Sequence, residues 1–351
     1  MRPVAPDSPP KERPFHWLIA SALALLPLML SAQIAVTSIT TSTTDTWNNT
    51  VNGTTFERTT VSITQFLDAA GNIYDTNTVA GSAYVRRNTS VGNSNNSSVW
   101  YDQGATSTQF SGTHANTYSS LLLGNNLLRG SDNTFANGTV GNQGNIERLD
   151  FLFSASGFAA TTSTSFAVFD RGEIGVHDYV KIAVITGWNN TTNLPTSYGG
   201  NLVSIDSADY GTTNIATSFT YSLFRYNNGD NLSTWTSNSE TGTQGIGGTI
   251  ISMADLGIAP GTIIYGYSLM AYDVTDSGNV SNLVNWNNTT YYPSNTTDVT
   301  GTGGIDLSAV NGVLYNRRVP EPSTYGALLL GASMTFFAWR RSRAQRLPVA
   351  R

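Results

Sequence analysis

The sequence predicts an all-β body, a single β-sandwich or jelly-roll-like domain, with a membrane-directed segment at each end. Short runs of β-branched and aromatic residues recur between turns rich in Gly, Asn and Asp. No segment before the C-terminal tail shows a long helical period. The body, residues 33–316, is long enough to bury one large hydrophobic core.

Five segments carry the strand pattern most clearly, and they are residues 145–153, 165–169, 178–186, 218–226 and 262–272. The fourth of them places Phe219, Tyr221 and Leu223 on one face and more polar residues on the other, as expected of a half-buried strand. Turns such as Asn227–Asn231 and Asp276–Asn279 separate the segments. We therefore expect one β domain between the two ends.

The N-terminus has the three parts of a secretory signal peptide. Arg2, Lys11 and Arg13 form its positive region. Residues Trp17–Leu30 form its apolar region, and Ser31-Ala32 supplies the small residues at which a signal peptidase would cut. We predict that residues 1–32 form the signal peptide, with cleavage after Ala32 or, failing that, after Ala35. The alternative is an N-terminal anchor that stays uncleaved, since Leu30 is bulky for a cleavage site.

The C-terminus holds a motif, an apolar segment and a basic cluster. The motif is Val319-Pro320-Glu321-Pro322, and the apolar segment is Tyr325–Trp339. The basic cluster comprises Arg340, Arg341, Arg343 and Arg346. The prolines fix φ and remove backbone donors, so the motif stays extended and accessible to an enzyme. As a helix the apolar segment would span roughly 22 Å, less than the ~30 Å hydrocarbon core of a bilayer. Because arginines can snorkel and a bilayer can thin, we favour a short membrane helix stopped by cytoplasmic arginines. The alternative is a buried C-terminal helix of a soluble domain, which would not need four arginines directly behind it.

These three parts resemble the PEP-CTERM sorting signal, which we assign to residues 317–351. The resemblance implies a Gram-negative bacterium with an exosortase, a membrane-embedded cysteine protease-like enzyme that recognises Pro320-Glu321-Pro322 and cuts at or near it. It also implies export through the inner membrane and transient anchoring by the tail. After tail removal the protein would be at the cell surface or secreted, and it would be associated with exopolysaccharide and biofilm systems. The resemblance covers only the tail and leaves the activity of the body open.

The composition disfavours nucleic acid as a partner. The formal net charge is -5, and residues 33–318 carry twice as many acidic as basic side chains, with Lys181 as their one lysine. Nucleic-acid binding relies on Lys and Arg that neutralise phosphates. The chain has no cysteine, so its stability must come from a packed core rather than from disulfides.

The tetrapeptide Trp-Asn-Asn-Thr occurs three times, beginning at Trp47, Trp188 and Trp286. Its unequal spacing excludes a solenoid repeat. One interpretation is that each Trp ends a strand and each Asn-Asn begins its turn. The functional interpretation is that the indole rings stack on sugars while the amides bind hydroxyl groups.

Candidate catalytic residues are sparse, and we predict no catalytic site, no metal site and no cofactor. Zinc-protease, serine-hydrolase and P-loop motifs do not occur, and of three histidines His16 leaves with the signal peptide. The densest polar cluster comprises Asp170, Arg171, Glu173, His177, Asp178 and Lys181. Such a cluster fits acid/base chemistry or Ca²⁺ binding, but it fits equally a solvated connection whose charges pair with each other. Asp206, Asp209 and Asp230 also offer carboxylates to Ca²⁺, although no spacing matches a calcium loop.

The sequence as a whole favours an exported cell-surface or extracellular-matrix protein that is processed at its tail. A carbohydrate-binding β-sandwich is the alternative, and a secreted glycan-active enzyme is a third candidate. The expected partners are signal peptidase, exosortase and exopolysaccharide, with transient contact to the inner membrane.

Overall fold

The computed structural model describes residues 33–51, 54–88, 97–102, 118–137, 144–173, 175–212, 215–226, 235–319, 331 and 333–341. By its contacts the chain divides into residues 1–32 and residues 33–351. The signal peptide predicted at residues 1–32 lies outside the described residues.

The described residues form 17 strands: β1 Ile34–Val51, β2 Thr54–Asp68, β3 Ile73–Val79, β4 Ser82–Arg87, β5 Ser97–Asp102, β6 Asn126–Asp132, β7 Ile146–Leu152, β8 Phe158–Ala159, β9 Thr164–Gly172, β10 Val180–Asn189, β11 Leu194–Ile205, β12 Ala216–Tyr226, β13 Trp235–Ser252, β14 Ile263–Ile264, β15 Gly266–Met270, β16 Ser308–Ala309 and β17 Val313–Arg317. Helices are few, and they are α1 Tyr118–Leu121, a C-terminal helix over residues 333–341 and two 3₁₀ helices at Ser207–Tyr210 and Val280–Val284. The prediction of an all-β body followed by a C-terminal helix is confirmed.

Six strands of the larger sheet close on themselves in the order β1-β2-β3-β17-β9-β13 and back to β1. The closing pair is antiparallel and joins Ile34 to Ile250 and Ala35 to Thr249. We call these six strands the ring. Beyond β13 the same sheet continues through β12, β5, β6 and β16. Closure leaves the ring strands without the unpaired edges of an open sheet.

Strand β9 crosses the middle of the molecule and is buried on both faces. Ala167 and Phe169 point into the ring, where they join a core that includes Phe66 and Tyr315. Phe166, which alternates with them, belongs to a second and larger core outside the ring. The nearly continuous apolar run of β9 follows from this double burial, because each face of the strand meets a separate core.

The second core is closed by a five-stranded sheet of order β11-β10-β15-β7-β4. Phe151 and Tyr267 lie opposite each other on β7 and β15 and point toward the ring. The Tyr267 ring centroid lies 4.5 Å from that of Phe166 on β9. The Tyr267 hydroxyl accepts a hydrogen bond from the backbone N–H of Gly312, just before β17. This sheet therefore packs flat against one wall of the ring.

The opposite face of the five-stranded sheet carries buried charge. Arg148 and Asp150 alternate with inward-facing residues on β7 and are fully buried, with 2.6 Å between Arg148 Nε and Asp150 Oδ1. Burial alone would raise the pKa of Asp150, but the positive charges of Arg148 and Arg86 outweigh it and hold that pKa below its usual range. Arg148 Nη1 also donates to the carbonyl of Leu283, at 2.6 Å. The ion pair thus fastens residues 273–292, here called the cover segment, over the sheet.

The predicted strands correspond to β7, β9, β10 and β12, with shifts of a few residues at their ends. The segment 262–272 is instead split by Tyr265 into β14 and β15, which belong to different sheets. Tyr265 leaves the strand pairing and donates its backbone N–H to Ile185 at the end of the β10–β15 ladder. The continuous apolar pattern of residues 262–272 therefore does not reveal that the chain passes from one sheet to another within it.

Candidate functional site at the junction of body and tail

The junction begins on β17, the last strand of the body and an interior strand of the ring. Tyr315 points into the ring, and its ring centroid lies 4.7 Å from that of Phe66. Backbone hydrogen bonds continue past the strand: Arg317 N–H donates to Ser163 and Arg318 N–H to Ile73, both at 2.8 Å. The body is therefore ordered up to the residue before Val319, where the predicted motif begins.

An exposed ion pair holds the last residue of this ladder. Arg318 Nε and Nη2 donate to the two carboxylate oxygens of Asp75 on β3, at 2.6 and 2.8 Å. Gln65 Nε2 donates to the same carboxylate at 3.2 Å. The hydrogen bonds from Arg318 lower the pKa of Asp75. Since the two side chains are 56% and 38% exposed, the pair adds little stability, but its two-pronged geometry fixes the direction in which the chain leaves the body.

The tail is described only in part. Val319 is exposed, whereas Pro320, Glu321 and Pro322 lie outside the described residues, as do Arg343 and Arg346. The C-terminal helix over residues 333–341 exposes Phe336, Phe337 and Trp339, with the Arg340 guanidinium 5.9 Å from the Phe336 ring centroid. Arg341 is its last described residue. Within the parts of the chain that the structure describes, no helix has both the length and the apolar character needed to cross a membrane.

The junction and tail define a class of protein, one whose folded body carries a sorting tail. Residues 318–343 match the family model of the PEP-CTERM protein-sorting motif, so the chain carries this motif where the sequence predicted it. The match begins at Arg318, the residue held by Asp75. No curated protein and no solved structure matches the chain. The motif directs its carrier to the envelope or surface of Gram-negative bacteria, with an exosortase as processing partner.

Three members of the polar cluster predicted in the body, Asp170, His177 and Asp178, come together near the end of β9, and Asp170 and His177 are buried. Asp170 accepts hydrogen bonds from His177 Nδ1 and from the backbone N–H groups of Asp178 and Asp306, at 2.9 to 3.0 Å. His177 is 1% exposed, and its ring centroid lies 5.0 Å from that of Tyr210, with the two rings tilted by 36°. Burial, and then the negative charge of Asp170, raises the pKa of Asp178 to about 7. These contacts join three chain segments and leave Asp170 inaccessible to a substrate.

Arg171 points to the other side of β9 and neutralises a second pair of carboxylates. Its Nη2 lies 2.6 Å from Asp132 Oδ1 and 2.5 Å from Asp306 Oδ2. Its guanidinium stands 3.5 Å from the ring centroid of Tyr221. Asp132 and Asp306 are far from Arg171 in sequence, so no local pattern indicated them as its partners. The need for such partners becomes evident only from the burial of both faces of β9, because a buried charge must be paired.

Two members of the predicted cluster lie elsewhere. Glu173 is exposed in the turn after β9. Lys181 donates to the carbonyl of Val274 at 2.7 Å and lies over the Tyr272 ring. Asp206 and Asp209 cap the 3₁₀ helix at Ser207–Tyr210, and Asp230 lies outside the described residues. Among the described residues, no three acidic, histidine or cysteine side chains are grouped so as to hold a metal ion. The absence of a catalytic site, of a metal site and of a cofactor stays a prediction.

The three tryptophans occupy different settings. Trp47 lies on β1, in the long hairpin with β2, where it is paired with Arg58. Trp188 lies on β10 of the other sheet, half-buried, with its ring centroid 5.2 Å from that of Tyr84. Trp286 follows the 3₁₀ helix of the cover segment and packs on the larger core. Trp188 and Trp286 thus contribute to packing, and sugar stacking by the three residues stays a prediction.

Proposed function

We propose that this chain is a structural protein of the Gram-negative cell surface or extracellular matrix, associated with exopolysaccharide or biofilm. A signal peptide exports it, its tail anchors it briefly in the inner membrane, and exosortase then removes the tail at or near Pro320-Glu321-Pro322. The observation that carries the proposal is the PEP-CTERM match at residues 318–343, which begins one residue after the last core strand.

The fold supports removal of the tail without loss of the body. Every strand of the ring and of the five-stranded sheet ends at or before Arg317. The hydrogen bonds that close the C-terminus, from Arg317 and Arg318, also lie on the body side of the motif. A cut at Pro320 to Pro322 would therefore leave both cores intact.

Mass spectrometry of the protein from its own host tests the processing. We expect a mature chain that begins near Gln33 and ends close to Pro320 to Pro322, and we expect the tail to persist when the exosortase gene is deleted. Glu321→Ala should likewise retain the tail, with Ser323→Ala as the matched control that is still processed. A chain that keeps Arg351 on all copies in the wild-type host would overturn the proposal.

The association with exopolysaccharide has a separate test. Purified mature protein is titrated with exopolysaccharide from the host while tryptophan fluorescence is recorded. A saturable change in intensity or wavelength would support binding and, with it, a carbohydrate-binding role for the body. Unchanged fluorescence together with no co-sedimentation would count against any direct contact with the polysaccharide.

A further inference from the structure

The two ends of the body leave from the same end of the ring. Neighbouring ring strands are antiparallel, so β1 and β3 run in one direction while β2 and β17 run in the other. The chain therefore enters the ring on β1 and leaves it on β17 at one end. The turn between β2 and β3 contacts both: Ala69 N–H donates to Ala35 at 2.9 Å, and Arg318 N–H donates to Ile73 at 2.8 Å.

That turn is held firmly by one side chain. The buried carboxylate of Asp68 accepts hydrogen bonds from the backbone N–H groups of Ala70 and Asn72, at 2.9 and 2.8 Å. It also accepts from the Asn72 side chain and, at 3.2 Å, from the Tyr74 hydroxyl. Gly71 adopts φ +81°, which a side chain would disfavour. We call this turn, Thr161–Ser163 and the chain ends at Ala35 and Arg318 the exit face.

The sorting motif cannot move far from the exit face. Arg318 is fixed to Asp75 and Ile73, and only three peptide units separate it from Glu321. Fully extended, that stretch reaches at most about 11 Å, and the seven units to Tyr325, where the apolar segment begins, reach at most about 25 Å. An enzyme in the membrane that grips the motif must therefore meet the folded body at this end.

The exit face has the composition for such a meeting. Many of its exposed residues are small and uncharged, among them Ala69, Ala70, Gly71, Thr161 and Thr162. The ionisable side chains around them include Asp68, Asp75, Asp255, Arg317 and Arg318, so positive and negative charges are mixed at this end. The rest of the body is acidic, and an acidic surface is repelled by anionic lipid headgroups. The two arginines at this end offset part of its negative charge, which lowers the electrostatic cost of its approach to the membrane.

We propose that the exit face is the surface on which the exosortase docks, so that processing takes place on the fully folded body with this face toward the membrane. The inference rests on the proposed processing and adds to it the side of the body that the enzyme contacts.

The absence of cysteine from the chain allows a direct test. Ala70→Cys puts one thiol on the exit face, and Glu173→Cys puts one in an exposed turn at the opposite end of β9. Each full-length variant is labelled in spheroplasts with a bulky maleimide–polyethylene glycol while the exosortase is repressed, and the enzyme is then induced. We expect tail removal from both unlabelled variants and from labelled Glu173→Cys, and loss of tail removal from labelled Ala70→Cys.

A longer connection separates docking from damage to the fold. A flexible Gly/Ser insert of about 15 residues between Arg318 and Val319, with an r.m.s. span of roughly 20 Å, should restore processing of labelled Ala70→Cys. Normal processing of labelled Ala70→Cys without the insert would overturn the docking inference, and so would failure of the insert to restore it. Retention of the tail by the unlabelled wild-type chain would instead overturn the proposed function itself.

Discussion

The ring and the five-stranded sheet solve the burial of their strands in different ways. The ring closes its own edges and fills its interior with aromatic and aliphatic side chains such as Phe66, Phe169 and Tyr315. The five-stranded sheet is open, and its outer face is covered by the irregular cover segment, fastened by the Arg148–Asp150 pair. The comparison teaches that a closed sheet pairs its own strand edges, whereas an open sheet with an irregular cover needs buried polar anchors that satisfy the backbone of that cover.

The largest expected effect is on the sheet side of this comparison. Asp150→Ala leaves the Arg148 guanidinium buried without its carboxylate, which should lower the free energy of unfolding by ~3–5 kcal/mol. Chemical denaturation of the mature protein measures it.

A double variant shows whether stability depends on the ion pair itself or only on the absence of an unpaired buried charge. Arg148→Met with Asp150→Leu replaces the pair by apolar side chains of similar volume, and it should recover most of the lost stability. If the double variant is as unstable as Asp150→Ala, the anchoring of Leu283 by Arg148 matters more than the balance of charge, and the comparison sharpens toward the cover segment.

Part of the pH dependence should come from the sheet side, and the raised pKa of Asp178 beside β9 adds a second part. Burial raises the pKa of Glu147 on β7 to about 8 from an ordinary 4.5, although Asn137 donates to its carboxylate. The folded state therefore holds a proton that the unfolded state releases above pH 4.5. Stability should fall as the pH rises from about 4.5 to 8, by up to ~1.4 kcal/mol per pH unit, and then level off.

Glu147→Gln should flatten this dependence. The variant and the wild type should have similar free energies of unfolding near pH 4, where Glu147 is protonated in both states, and the variant should be the more stable at pH 8. Denaturation curves across that range measure both. Identical slopes for the two proteins would show that Glu147 is not the group responsible.

The smallest expected effect compares two buried tyrosine hydroxyls. The Tyr315 hydroxyl in the ring is buried and has no hydrogen-bond partner among the described residues, whereas the Tyr198 hydroxyl on β11 lies 2.7 Å from Ser268 Oγ. Tyr315→Phe should leave stability unchanged or raise it slightly, while Tyr198→Phe should cost ~0.5–1.5 kcal/mol. Equal losses in thermal or chemical denaturation would contradict the view that Tyr315 stabilises the ring through apolar packing rather than through its hydroxyl.

The sequence predicts strands better than it predicts their partners. β7, β9 and β10 were recognisable because their apolar runs record burial, which is a local property of the chain. Closure of the ring was not recognisable, because it depends on the pairing of Ile34 with Ile250, and the sequence around either residue does not indicate the other. The split of residues 262–272 between two sheets escaped prediction for the same reason.

The residues of the candidate site likewise differ in whether the sequence alone could predict them. The sorting motif was predictable because it is a linear signal that an enzyme reads as sequence, and the match at residues 318–343 confirms it. Asp75 was not predictable, since its bond to Arg318 spans 243 positions of the chain. Asp170 and His177 were recognised as members of a polar cluster, but only their burial shows that they bind chain segments together.

The place of β17 couples secretion to folding. It is the last strand of the body to be synthesised and translocated, yet it lies between β3 and β9, so the ring cannot close before it arrives. Its final residue, Arg317, precedes the sorting motif by a single residue, Arg318. A copy cut short before Val313 would therefore lack both the strand that completes the ring and the peptide that the processing enzyme reads, so every copy that displays the peptide has already delivered all the strands of its body.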